Sequence, residues 1–470
     1  MADEIVFTPV RQLSEMIRSR QVSPLELTEL FLDRLERLGS NYNAVVTVTQ
    51  DLARSQAMAA DRDIAAGTNR GPLHGIPWGA KDLLATAGGI PTTWGAAPFR
   101  GQQLDVDATV VSKLDEAGAV LGAKLAMIEL AGGMGYRQPH ATFTGPPRNP
   151  WDRERWTGGS SAGSGAAVAA GLVPFAIGSE TWGSILSPAN NCGLAGLRPT
   201  YGRVSRHGAM ALCWTLDKLG PLCLTADDCG IVLEAIAGPD PNDPTTFEAP
   251  FAYDDTDPPG RRFKIGVLRD AATGAEPAVR NNFEKALADL ADSMDVEEIE
   301  FPDLPYVAIT RTILMVESAA AFEDFIEEGR ASGLTAPEDH YGPYARTSVL
   351  ATDYIKASRL RGVMAKEVDA VMSRFDAIAA PTSGRTASPI TEEFRNSVPS
   401  TPDVMGAAGN GCGLPSISVP SGFSEDGLPT GIQFMGRPYA ENTILAIARA
   451  YQSITDWHTR HPEDVVSELT

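Results

Sequence analysis

Thr157-Gly158-Gly159-Ser160-Ser161-Ala162-Gly163-Ser164, followed shortly by Ser179-Glu180-Thr181-Trp182-Gly183-Ser184-Ile185, sets two serines in glycine-rich turns on either side of a small-residue segment. A serine that attacks a carbonyl needs a base for its proton, room for the substrate, and backbone N–H groups aimed at the developing oxyanion. Glycine-rich turns supply the last two, because backbone without Cβ admits a close ligand. The base has to come from elsewhere. His74-Gly75-Ile76-Pro77-Trp78-Gly79-Ala80-Lys81-Asp82 offers a lysine in a largely small and apolar run.

Free lysine titrates near about 10.4, so a base for neutral pH needs a downward shift of roughly three units, which full burial can supply. Ile76, Pro77, Trp78 and Leu83 favour such burial of Lys81. Asp82 opposes it, because a nearby carboxylate stabilises the ammonium, and its side chain is expected to point elsewhere. Ser161 and Ser164 are expected to organise the turn by hydrogen bonds. Gly159-Ser160-Ser161-Ala162-Gly163 also matches the G-x-S-x-G nucleophile elbow, with Ser161 as nucleophile. An elbow follows an apolar strand, however, and here Asp152-Arg153-Glu154-Arg155-Trp156 precedes it. His207, His340, His458 and His461 stand in no supporting context. His458 and His461 lack a third ligand nearby, so no metal is expected.

The chain has 470 residues, 43% of them hydrophobic and 21% charged, a globular balance ample for a large core. Its formal charge of −21 disfavours a phosphate backbone or anionic membrane as partner. No basic-then-apolar leader opens the sequence and no run of about 18 apolar residues occurs, so a cytoplasmic location is expected. Five cysteines (Cys192, Cys213, Cys223, Cys229 and Cys412), an odd number without a C-x-x-C pair, read as reduced thiols.

Ser23-Pro24-Leu25-Glu26 reads as a helix start with a capping box. Strands are expected at 43–49, near Lys81, at 120–124 and at 263–268. Helices are expected at 51–66, 109–117, 166–171 and 307–329. Alternating strands and helices predict an α/β core with helices on both faces of a sheet. Residues 239–365 differ in character and read as an insertion flanking the active site.

Lys81, the Gly158-Gly159-Ser160-Ser161 turn and the Gly183-Ser184-Ile185 turn together resemble the amidase signature family of serine hydrolases. Ser23-Pro24-Leu25-Glu26, Arg148-Asn149-Pro150-Trp151-Asp152, Gly196-Leu197-Arg198-Pro199-Thr200, Ala380-Pro381-Thr382 and Gly413-Leu414-Pro415-Ser416 extend the resemblance along nearly the whole chain. It implies a single domain over 1–470 around a large, mixed, twisted sheet. The signature core would span about 70–235 and 370–455, with the variable pocket insertion at about 239–365. It further implies a Ser–cis-Ser–Lys triad in which Ser184 attacks, Ser160 relays the proton and Lys81 receives it. The N–H groups of Thr181, Trp182, Gly183 and Ser184 would form the oxyanion hole. Gly132, Gly133, Met134 and Leu186 would contact substrate, with Met315, Glu317 and residues 405–410 as further pocket positions. The chemistry is acyl transfer through an acyl-enzyme and calls for no metal or cofactor.

Two departures from the family pattern Asp-Thr-Gly-Gly-Ser-Ile-Arg bear on specificity. Leu186 stands where A-type subunits of glutamine amidotransferases carry an arginine near the substrate's charged end, so a buried carboxylate would lack its partner. Trp182 replaces a glycine and adds aromatic surface. Both point to a hydrolase of neutral, apolar or aryl amides, with carbamates or esters accepted, acting as a monomer or homodimer on a small molecule. The alternatives are an amidotransferase A-type subunit supplying ammonia to a partner, and an inactive binding protein.

Overall fold

The computed structural model describes residues 5–256, 261–393 and 403–467. Residues 1–4, part of the stretch read above for a leader, lie outside them. Strands β1 (Val45–Val48), β2 (Pro77–Lys81) and β3 (Val120–Leu125) come first. A separate hairpin pairs β4 (Arg148–Asn149) with β5 (Asp152–Trp156). Strands β6 (Phe175–Glu180), β7 (Ala195–Arg198), β8 (Lys218–Cys223), β9 (Lys264–Leu268) and β10 (Asp295–Ile299) follow. The last are β11 (Ala377–Pro381), β12 (Ser416–Phe423) and β13 (Pro429–Met435).

Among the described residues, eleven of these strands form one sheet, in the order β1-β3-β2-β6-β8-β7-β12-β13-β11-β9-β10. The sheet is mixed: β2 runs parallel to β3 and β6, whereas β8 runs antiparallel to β6 and β7. Neighbouring residues on a strand face opposite sides of a sheet. Phe175 accordingly belongs to one hydrophobic cluster, with Trp78 and Phe434, and Ala176 to another, with Ala166 and Ile185. Both faces of the sheet are therefore buried, as the α/β reading requires.

The local expectations translate into structure where turn chemistry is strong. Ser23 accepts from the Glu26 N–H at 3.1 Å, and Glu26 Oε2 accepts from the Ser23 N–H at 2.9 Å, closing the capping box of the helix Pro24–Leu38. Every residue of the helix Ala162–Ala169 is buried. It lies so close to the chain beneath it that a Cβ on Gly163 would sit 2.5 Å from the Ala126 nitrogen. Residues 239–365 do more than flank a site. They contribute β9 and β10, which form one edge of the sheet, and the long helix Tyr306–Ala321.

The strand order carries the site. β2 and β6 are parallel neighbours in register from Trp78 opposite Phe175 to Ala80 opposite Ile177. Lys81 and Ser179 therefore emerge side by side at the C-terminal ends of adjacent strands, a common location for ligand sites in α/β sheets.

Candidate active site

All five residues of β2 are buried, and Lys81 at its end has 0% exposure. Ile76, Trp78 and Leu83 are buried beside it, as expected. Its Nζ meets three hydroxyls: Ser160 at 2.8 Å, Ser161 at 3.0 Å and Ser179 at 2.8 Å. Among the described residues no carboxylate contacts it. Burial pushes the ammonium down to about 7, with Asp217 and Glu180 pulling more weakly the other way. Asp82 turns away, as expected, to an ion pair with Lys124 at 3.1 Å and a hydrogen bond from the Thr93 N–H at 2.9 Å.

A neutral amine has two hydrogens and one lone pair, so among three hydroxyls one must donate to it. Ser161 is not free to do so. Its hydroxyl donates to the Ser179 carbonyl and accepts from the Ser179 N–H, both at 3.2 Å. That arrangement fits the turn-organising role expected of it. It also removes the elbow alternative, since Ser161 is fully buried and β5 before it exposes Arg153 and Glu154 instead of forming core. Ser164 holds the Ile177 carbonyl at 3.4 Å. The peptide bond between Gly159 and Ser160 is cis.

Ser184 lies in the next turn, 7% exposed. The Ser161 N–H donates to the Ser184 carbonyl at 3.3 Å and ties the two turns together. Among the described residues no hydrogen bond joins the Ser184 and Ser160 hydroxyls. The structure thus brings Lys81 and Ser160 into contact and leaves the step to Ser184 open. Ser179 is a polar neighbour of Lys81 that sequence reasoning overlooked. The only signal for it would have been the parallel pairing of β2 with β6.

The turn 181–184 is held from both ends while its own donors stay free. Glu180 Oε2 accepts from the N–H groups of Ile185 at 2.9 Å and Leu186 at 3.0 Å. Its other oxygen pairs with buried Arg198 at 2.8 Å, and the nearby cations Arg198 and Lys218 hold its carboxyl below the usual range despite burial. Thr181 donates its hydroxyl to Asp217 at 2.6 Å. Gly183 has φ +81, a conformation that favours glycine. Among the described residues, the N–H groups of Thr181, Trp182, Gly183 and Ser184 donate to no protein acceptor. Thr181 and Ser184 are buried and Trp182 and Gly183 half-buried, and backbone polar groups shielded from water are almost always paired. The Trp182 indole N–H reaches Asp403 at 2.8 Å.

Beside Ser179 and Thr181 opens a cavity of about 230 Å³, walled by Leu83, Ala131, Met210, Leu212, Trp214 and Leu219, with Arg206, His207, Asp217 and Asp243 as its charged or titratable groups. Ala131, just before the loop expected to contact substrate, lines this cavity, whereas Gly132, Gly133, Met134 and Leu186 do not. Met134 is core, and the Gly133 carbonyl is taken by Arg346. Gly132 makes a left-handed turn at φ +89. Leu186 is buried at the start of the helix Leu186–Cys192. Glu317 supports the cavity wall from behind, accepting from the Thr215 N–H at 2.9 Å and the Cys213 thiol at 3.0 Å. Met315 is half-buried on the same helix, and within residues 405–410 Asn410 accepts from Lys218 at 3.0 Å.

Among the described residues no cluster of His, Cys, Asp and Glu could hold a metal, and His461 stacks on Phe7 with ring centroids 4.0 Å apart. All five cysteines are free; four are buried and Cys412 is half-buried. No described helix is long and apolar enough to cross a membrane.

A family model described as Amidase matches residues 26–445. The chain belongs to the amidase signature family. Members of that family act on carbon–nitrogen bonds. The chain is 36% identical to the A-type subunit of glutamyl-tRNA(Gln) amidotransferase from Moorella thermoacetica, over 98% of this chain and 99% of that one. Its fold is similar to the peptide amidase of Stenotrophomonas maltophilia, with TM-score 0.85, 30% identity, and coverage of 97% of this chain and 98% of that one. It is also similar to the A-type subunit of glutamyl-tRNA(Gln) amidotransferase from Thermotoga maritima, with TM-score 0.80, 32% identity, and coverage of 95% and 94%.

Proposed function

We propose that this amidase hydrolyses small neutral amides through Ser184, with Ser160 and Lys81 as its proton relay. One observation carries the reading: a buried lysine poised near neutrality within a shell of hydroxyls, next to a turn with four unpaired N–H groups. Neutral Lys81 takes the Ser160 proton as Ser160 takes that of Ser184, and Ser184 Oγ bonds to the carbonyl carbon. The carbonyl oxygen becomes an oxyanion facing the donors of 181–184. The relay then returns the proton to the leaving nitrogen as the C–N bond breaks. Water, deprotonated by the same relay, releases the acid and restores Ser184. The Ser184–Ser160 contact has to close when substrate seats, since catalytic hydrogen bonds in empty sites are often long.

The neutral substrate follows from the charges. Arg206 in the cavity wall is already engaged with Thr245 at 2.7 Å and with Asp243 at 3.5 Å, and Leu186 offers no cation. A substrate carboxylate would be buried without a partner. The apolar wall suits an alkyl or aryl group, and the same acyl chemistry serves carbamates and esters.

A second reading, glutamine-dependent ammonia supply to a partner, is favoured by curated relatives that share 36–37% identity over 96–98% of the chain. A panel of neutral amides, anilides, aryl carbamates, esters and glutamine separates the two. Preferred turnover of anilides, lost in Ser184→Ala, supports the first; glutamine turnover dependent on a co-purifying partner supports the second. Failure of a fluorophosphonate probe to label Ser184 would indicate an inactive binding protein.

A further inference from the structure

Asp217 has no catalytic role in the scheme above, yet it is a buried acid that contacts both the turn 181–184 and the cavity wall. It follows the loop 206–214 that walls the cavity and immediately precedes β8. Its Oδ1 accepts from the Thr181 hydroxyl at 2.6 Å. Its Oδ2 accepts from the N–H groups of Leu212 and Cys213, both at 2.8 Å. One carboxylate therefore holds the first residue of the turn 181–184 and two residues of the cavity wall. Unlike Glu180, which pairs with Arg198, it makes no direct ion pair among the described residues. Burial pushes its carboxyl up, and the three donors that converge on it act against that by favouring the ionised form.

We propose that Asp217 is a positioning residue for the reaction at Ser184: it joins the N–H turn to the cavity wall and presents a negative charge to Lys81. This rests on the function proposed above and adds a determinant of its geometry and pH range. A substrate group that displaces the cavity wall is thereby felt at the donors facing the carbonyl. The charged groups around Lys81 are few. Asp217 pulls on Lys81 most and Glu180 less; Glu180 is already paired with Arg198, and Asp82 with Lys124, so Asp217 is the unpaired carboxylate whose removal Lys81 would feel most. Around Asp217 stand Arg206, Lys218 and the Cys213 thiol.

Asp217→Asn is the test, because it preserves shape and can preserve hydrogen bonding. The amide oxygen can accept from Leu212 and Cys213 while its NH₂ donates to the Thr181 oxygen. Thr181→Val serves as the companion variant, breaking the tie without touching the charge. Wild type is first labelled with a fluorophosphonate and the pH dependence of kcat/KM recorded. With Asp217→Asn we expect kcat to fall roughly 10-fold and the acidic limb to move to lower pH by on the order of one unit. With Thr181→Val we expect a similar fall in kcat with the limb unmoved. If wild-type Ser184 is not labelled, the proposed function fails and this inference with it. If it is labelled but Asp217→Asn leaves kcat and the limb at wild-type values, this inference alone is overturned. A lower kcat with the limb unmoved in Asp217→Asn also overturns it, since any structural defect would do as much.

Discussion

Lys81 and Lys124 sit near the ends of adjacent parallel strands, one register step apart, and both are fully buried. Around Lys124 the protein has placed a carboxylate, Asp82 at 3.1 Å, together with the Thr92 hydroxyl at 2.8 Å. Around Lys81 it has placed three hydroxyls and, among the described residues, no acid in contact. Burial pushes both ammonium groups down, and in Lys124 the touching carboxylate opposes it. The first lysine is thus left close to neutrality, able to take a proton, while the second is locked into a structural pair. Lys81 and Asp82 are chain neighbours, but their side chains leave the strand end in opposite directions. The acid is therefore spent on the wrong-facing lysine, and the base stays available.

The sharpest way to break this contrast is Lys81→Met. Amide hydrolysis should fall by about 10⁴-fold or more, the scale for removing a member of a catalytic triad. Stability should move the opposite way. Lysine titrates near 10.5 when unfolded and near 7 here, so the unfolded chain binds more protons between those values. The burial penalty is full below about pH 7 and fades toward pH 10.5. Met removes it, and thermal melts should show a gain of up to about 4 kcal/mol at pH 7 that disappears by pH 10.5.

Asp82→Asn attacks the other lysine. Leaving Lys124 buried and unpaired should destabilise by about 3–5 kcal/mol in urea titrations, and adding Lys124→Met should recover much of that loss. Ser179→Asp converts the hydroxyl shell into the carboxylate kind. It raises the pKa of Lys81, so the acidic limb of kcat/KM should climb by about one to two units and activity at pH 7 should fall about 5- to 50-fold. Ser179→Ala removes one hydroxyl without adding charge. The cost of a single hydrogen bond predicts a loss of about 2- to 12-fold in kcat with little change in KM.

How far the sequence could be read depended on the range of the forces involved. The capping box of Pro24–Leu38, the glycine turns and the small-residue helix Ala162–Ala169 are written in residues three or four apart, and each was legible. Strand β2 and its lysine were legible too, together with the burial that Ile76, Trp78 and Leu83 announce. The contribution of 239–365 to the sheet edge was not, because a strand's partners are chosen across the whole chain. Nor was the cavity wall from 206 to 214, which is tied to the turn 181–184 through Asp217, a residue at the end of a different strand.

The residues alone determined the chemical inventory: which hydroxyls and which amine stand ready, where the backbone can bend, and that Leu186 brings no positive charge. Tertiary structure decided which of these groups have water, which have partners, and which have neither. Basicity and donor strength depend on solvent removed by strands and loops distant in sequence, and no local pattern of residues records that.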